Sequence, residues 1–135
     1  MSKFVDVPGA LVDSLWAEVQ PYIVRCFDKT AEYRWLPEDI QALIRDGSLQ
    51  LWLCIDDDGS MCGIVLTELE RSPRAPTCNL FMMCGKMPES WRDCLEQMEL
   101  WARDSGCTHM ATLSRPGSAK LVGYSKAMIR TFKEL

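Results

Sequence analysis

The stretch CGKMPES, residues 84 to 90, lies between an apolar run and a charged, amphipathic one. Gly85 permits a tight turn, Lys86 offers a cation, and Glu89 or Ser90 can cap a following helix, so an anion such as a phosphate could lie over this turn. The competing reading is a plain strand-to-helix turn, because the loop holds one glycine and Glu89 claims the same helix end. A second cation falls in LSRPG, where Pro116 biases Arg115 toward extended backbone and the guanidinium can hold a phosphate or carboxylate bidentately. Arg115 is therefore expected within reach of the turn at Gly85 and Lys86. For proton transfer the candidate is Glu68, since Thr67 and Glu68 interrupt an otherwise apolar strand; the alternative is a solvent-facing residue beside Glu70. His109 has the chemistry of a base, and Cys84 that of a nucleophile activated by a nearby cation and a helix end. Both also have ordinary structural readings, as a satisfied strand histidine and a buried thiol.

The rest of the composition narrows the chemistry. The chain has 135 residues, 47% hydrophobic and 25% charged, which suits one globular domain and leaves no room for a second core. Its seven cysteines are odd in number, form no C-x-x-C pair and sit mostly in apolar runs, so they read as buried thiols rather than disulfides. With one histidine, a zinc site would be nearly all thiolate at irregular spacing, and no metal is expected. The DDDG turn lacks the ligand pattern of a calcium loop. Net charge is −4, with 10 basic and 18 acidic side chains over residues 1–114 against 5 and 1 over residues 115–135. An acidic domain lacks the broad basic face that duplex binding requires, so nucleic acid is not an expected partner. The basic last segment reads either as a solvated element or as an anion site built from Arg115, Lys120 and Lys126. No apolar run approaches the length of a membrane span, and a soluble protein that stays in the compartment where it is made is expected.

The elements that would position these residues follow from periodicity. Residues 11–27 place Leu15, Val19, Tyr22, Ile23, Cys26 and Phe27 near one helical face, with Pro21 expected to kink or break the helix. Residues 37–46 form a second helix: Pro37 suits its first turn, Glu38 and Asp39 its positive end, and Gly47 its stop. Residues 49–55 alternate, DDDGS turns, and MCGIVLTEL returns, which makes a hairpin. Residues 78–84 read as a third strand. Residues 89–105 read as a helix with Trp91, Leu95, Met98 and Ala102 on one stripe and Gly106 as its cap. Residues 107–114 read as a fourth strand, and residues 127–135 as a final strand or short helix. The order is thus α-α-β-β-β-α-β-(turn or short α)-β. The crossover sets residues 78–84 and 107–114 side by side and parallel, giving an α/β (α+β) single domain with a mixed sheet and helices on its faces. Ligands of such sheets bind beyond the carboxyl ends of the parallel strands, where the CGKMPES turn and Arg115 fall.

That order, together with the spaced motifs VPG…W…V.PYI, GSLQLWL, W…L..ME.WAR..GC and SRPGSAKLVGY, resembles the GNAT superfamily of acyl-CoA-dependent N-acyltransferases. Within it, the motifs look most like the small GNAT-like proteins of tailed bacteriophages. The resemblance spans almost the whole chain, read as a single GNAT-like domain over residues 1–135, and implies a cytoplasmic location, the host cytoplasm for a phage-encoded protein. It implies acetyl-CoA in a V-shaped opening, its pantetheine on the backbone of residues 80–83, with Leu80, Met82 and Met83 as contacts, and its pyrophosphate on the loop of Gly85 and Lys86 near Arg115. Typical members carry Q/R-x-x-G-x-G/A in that loop, and this chain keeps only Gly85. The place of their general-acid tyrosine falls here at Ala119 or Lys120; Tyr124 takes the role if the register slides. Two functions follow: transfer of acetyl from acetyl-CoA to an amine, with Glu68 as base, or a catalytically inactive module of the same fold that contacts a phage or host protein.

Overall fold

The computed structural model describes residues 2–30, 34–88, 90–112, 124 and 133–135. Among these residues five strands and three helices follow one another: β1 (Lys3–Val7), a single 3-10 turn (Gly9–Leu11), α1 (Val12–Thr30), α2 (Pro37–Arg45), β2 (Gln50–Ile55), β3 (Met61–Glu70), β4 (Thr77–Gly85), α3 (Trp91–Asp104) and β5 (His109–Thr112). The sheet runs in chain order, β1 to β5, antiparallel from β1 to β4 and parallel between β4 and β5. The hairpin, the crossover helix and the parallel pair therefore stand where the periodicity placed them. No helix among the described residues is long and apolar enough to cross a membrane.

Two findings depart from the sequence reading. The chain opens with a strand that periodicity did not reveal: KFVDV is short, and it becomes a strand by pairing with β2, with Lys3 opposite Ile55 and Val7 opposite Leu51. Its partner lies more than forty residues away, so no local signal marks it. Pro21 does not break the first helix; α1 runs through it as one element. Its inward face, with Val19 and Ile23 fully buried, is held by packing on the sheet, and tertiary burial outweighs the single lost backbone donor.

The helices divide the core in two. On one face, Val12, Val19 and Ile23 of α1 and Ile40 and Ile44 of α2 pack on Leu51, Ile64, Leu66 and Cys84. On the other, Leu95 and Met98 of α3 pack on Trp52, Cys54, Val65 and Leu80. Trp101 of α3 meets Trp52 edge-on, with ring centroids 4.9 Å apart. Thr67 is a polar residue fully enclosed in this core. Thr67 accepts the indole N–H of Trp52 at 3.0 Å and donates to the Gln50 side chain at 2.8 Å, so its hydroxyl is satisfied on both counts. The seven cysteines form no disulfide, as the sequence implied, and five are buried.

The carboxyl end of β4 is closed against β3 by a pair of facing glycines. Gly63 lies opposite Gly85, and a Cβ on Gly63 would sit 2.5 Å from the Cys84 carbonyl and 3.0 Å from that of Lys86. Alanine at position 63 is therefore expected to cost roughly 2–3 kcal/mol in a urea titration. Thr67→Val, which orphans the Trp52 N–H, is expected to cost about 1–3 kcal/mol by the same measurement. A neutral result for either would mean that the local backbone yields where the packing says it cannot.

Candidate functional site

The site is built on β4. Its first four residues have a strand on each side: Thr77, Cys78, Asn79 and Leu80 pair with His109, Met110, Ala111 and Thr112 of β5. On the β3 side Thr67 faces Leu80 while Leu66 faces Met82, which makes Phe81 the extra residue of a bulge at the point where the described pairing with β5 stops. A bulge bends the strand and increases its twist. Beyond it, residues 81–85 keep β3 on one side and have no described strand on the other. Lys86 donates its N–H to the Cys62 carbonyl at 2.9 Å, so its backbone faces β3. By strand alternation, the N–H and C=O groups of Met83 and Gly85 turn away from β3. Of the residues expected to meet a pantetheine, Leu80 is paired with β5, Met82 shares the orientation of Lys86, and Met83 turns its backbone away from β3.

Gly85 has a definite structural reason to be glycine. Its φ is +86°, and a Cβ there would lie 2.7 Å from the Cys62 carbonyl and 2.8 Å from the Tyr22 ring. Tyr22 of α1 rests against this turn and donates its hydroxyl to the Met61 carbonyl at 3.3 Å. After Gly85 the chain passes exposed Lys86 and buried Pro88 into α3. The expected side-chain cap of α3 is not made by Ser90. Instead the Pro88 carbonyl accepts the Trp91 N–H at 3.0 Å, and the Ser90 carbonyl accepts those of Asp93 and Cys94 at 3.0 and 3.2 Å. A cation that the sequence reading passed over stands here as well: the guanidinium of Arg92 lies 5.3 Å above the Trp91 ring. Arginine in a first helical turn runs against the helix dipole, and that mismatch is the signal that could have singled it out.

An acyl-CoA asks a protein for strand-like hydrogen bonds along its amide-linked arm and for cations and N–H groups at its diphosphate. The backbone of Met83 and Gly85 turned away from β3 fits the arm. Lys86 and Arg92 fit the diphosphate, although the Trp91 N–H at the start of α3 is already taken by the Pro88 carbonyl. Bound there, such a group would supply an acetyl thioester.

Glu68 lies opposite Asn79 across the β3 and β4 pair. By alternation with Ile64 and Leu66 it faces the side covered by α1 and α2. It is partly buried, and no hydrogen bond or ion pair holds its carboxylate among the described residues. On the same face Trp35, in the connection between the first two helices, packs edge-on over Phe81 of the bulge at 6.5 Å, with its indole N–H buried and unpartnered. Tyr124 lies on the opposite face, among the α3 cluster, and its hydroxyl is buried without a well-formed hydrogen bond. Burial, and then the Glu99 carboxylate beside it, hold its phenol above the usual tyrosine range. His109 begins β5, at the end away from the opening, exposed and bonded through Nδ1 to the Thr108 hydroxyl at 2.8 Å. Cys84 is 2% exposed, and its neighbour Cys26 together with burial drives its thiol upward, the reverse of an activated nucleophile. Arg115, Lys120, Lys126, Ala119, Gly123 and Glu89 lie outside the described residues, as does most of the expected last strand. Among the described residues no cluster of three metal-ligating side chains is present.

No protein-family model matches the chain, and no curated protein matches it significantly in sequence. Solved structures do match in shape. An aminoglycoside acetyltransferase, meta-AAC0020, from an uncultured soil metagenomic sample, solved with sisomicin, superimposes with a TM-score of 0.69 at 7% identity, over 99% of this chain and 96% of its own. The aminoglycoside 6'-N-acetyltransferase AAC(6')-Ih from Acinetobacter baumannii gives 0.65 at 12% identity, over 100% and 99%. A ribosomal-protein-alanine N-acetyltransferase from Brucella melitensis gives 0.66 at 8% identity, over 100% and 99%. These likenesses run end to end, and the chain has the single-domain mixed α/β fold of the GNAT acetyltransferases.

Proposed function

We propose that the protein is an N-acetyltransferase that moves acetyl from acetyl-CoA to an amine. The observation that carries this reading is the Phe81 bulge of β4, past which Met83 and Gly85 turn their backbone away from β3, with Lys86 following in the turn and Arg92 in the first turn of α3. The acetyl-transferring neighbours of the same fold support it. Glu68 takes the proton of the incoming ammonium, either directly or through a water, because it is a carboxylate beside the bulge without a partner among the described residues. Tyr124 holds a proton throughout the neutral range that can be given to the departing thiolate. Arg115 is assigned to the diphosphate beside Lys86. The phage-type origin and the host cytoplasm rest on the sequence motifs.

A second reading has one observation in its favour. The loop carbonyl of Pro88 already occupies the Trp91 N–H at the start of α3, as it would in a domain that keeps the fold without the cofactor and contacts a phage or host protein instead. Titration calorimetry with acetyl-CoA separates the two, since millimolar ligand without heat contradicts the enzyme reading.

Two variants follow. Glu68→Gln is expected to lower kcat about 10²–10⁴-fold for acetyl transfer to an accepted amine while leaving acetyl-CoA affinity unchanged. A loss of cofactor affinity instead would move Glu68 out of the acceptor side. For Tyr124, a phenol whose pKa is raised in the folded state contributes stability below the ordinary tyrosine pKa that is lost as pH rises above it. The melting temperature should therefore fall as pH rises above about 10, and the fall should be smaller in Tyr124→Phe. An identical alkaline profile in both proteins would show that Tyr124 is not held as the structure places it.

A further inference from the structure

Glu68 has a polar companion that the chemistry above does not use. Across the β3 and β4 pair it lies directly opposite Asn79, and across the β4 and β5 pair Asn79 lies opposite Ala111. All three share one face. Cys78 and Leu80 belong to the clusters packed on α3, so Asn79 between them turns to the side of α1 and α2; Met110 packs with α3 as well, which sends Ala111 the same way as Asn79. Opposed side chains on one face have Cβ atoms about 4.5–5.5 Å apart, so one small molecule can touch both the Glu68 carboxylate and the Asn79 carboxamide. Both residues are partly buried, and among the described residues neither side chain has a hydrogen-bond or ion-pair partner. Their polar atoms remain open to water, since the enclosed and unpartnered ones are those of Trp35 and Tyr124. Asparagine is depleted in strands, and a half-buried carboxamide without a partner gives this strand nothing in return. Beside it Ala111 adds only a methyl group. Toward the bulge the strip is walled by Phe81, with Trp35 edge-on to it at 6.5 Å.

We propose that Asn79 determines the specificity of the acceptor site, and that the acceptor is an amine with a hydroxyl group on the adjoining carbon. The inference rests on the acetyltransferase reading, in which Glu68 already receives the ammonium. A carboxylate only accepts hydrogen bonds, and an ammonium meets that need fully. A carboxamide both donates and accepts, and a hydroxyl is the small group that answers it on both counts. An amine on a plain methylene stem satisfies Glu68 and leaves Asn79 unpaired, whereas a neighbouring hydroxyl engages both members of the cross-strand pair. The Phe81 and Trp35 rings then lie along the apolar side of the acceptor. Holding the molecule at two points fixes where its nitrogen stands relative to the bulge, which is what a bimolecular transfer needs. A site built to hydrogen-bond a substrate hydroxyl also rejects the analogue without one, because its own polar group is left unpaired.

The test compares acetyl transfer to 2-aminoethanol and to propylamine, amines of matched size, by the wild type, by Asn79→Leu and by the smaller variant Asn79→Ala. The hydroxylated amine is the less basic of the two and is favoured to that extent by every form of the enzyme. The readout is therefore how far the ratio of the two kcat/KM values changes between wild type and variant. It is expected to fall about tenfold or more in both variants, with the value for propylamine held within about twofold. A second readout needs no turnover: in the wild type with coenzyme A, the side-chain amide signals of Asn79 in a proton–nitrogen correlation spectrum should shift with 2-aminoethanol and stay in place with propylamine. An unchanged ratio, an equal loss toward both amines, an Asn79 signal indifferent to 2-aminoethanol, or transfer to neither amine by a protein that binds acetyl-CoA overturns the proposal and leaves the enzyme reading standing. Transfer to neither amine together with no heat from acetyl-CoA overturns both.

Discussion

Strand β4 is held by β3 along its length, antiparallel, and by β5, parallel, over four described pairs that reach the bulge at Phe81. Each strand residue keeps a donor and an acceptor that want partners, so the backbone that turns away from β3 past the bulge must be met by something else. The end of β4 is closely framed. Gly63 and Gly85 let the two strands close tightly at the far end, and Tyr22 packs on that closure from α1. Trp35 stands over the bulge itself, and α3 begins just past the turn.

Rigidity on both faces is what makes the edge usable. On the α3 side the edge-on contact of Trp101 with Trp52 and the enclosed chain from Trp52 through Thr67 to Gln50 fix β2 and β3 relative to the helix. A fully satisfied polar group in a core costs little and specifies one register, whereas a partly satisfied one would admit slippage. On the other side the branched residues of α1 and α2 fill the space above Leu51, Ile64 and Leu66 with no polar atom among them. Glu68 and Asn79 come immediately after this apolar stretch, so the change from dry to polar surface coincides with the place where β4 bends.

How much of this could be read from the chain depends on whether the signal was local. The α2 helix carried its own Pro37, Asp39 and Gly47, the hairpin its DDDGS turn, and α3 its stripe of Leu95, Met98 and Ala102, so each was legible within a short window. The crossover then fixed the parallel pair. Strand β1 was not legible, since its only evidence is a partner across the sheet. The fate of Pro21 was not legible either, because the packing of Val19 and Ile23 decided it. Phe81 looks like any apolar strand residue, and only the register across β3 exposes it as the bulge. At the site, Glu68 was found because it interrupts an apolar alternation. Arg92 and the buried N–H of Trp35 were missed because their significance lies in what they touch.

The central claim is that the backbone of β4 past Phe81 is a ligand-binding edge. Residue-resolved amide hydrogen exchange, with and without saturating acetyl-CoA, tests it most directly, because each N–H reports its own partner. The account predicts that the amides of Met83 and Gly85 slow markedly when the ligand is added, while those of residues 77–80, already held between β3 and β5, change little. Unchanged exchange at Met83 and Gly85 in the presence of bound ligand, with protection appearing elsewhere on the molecule, would contradict it.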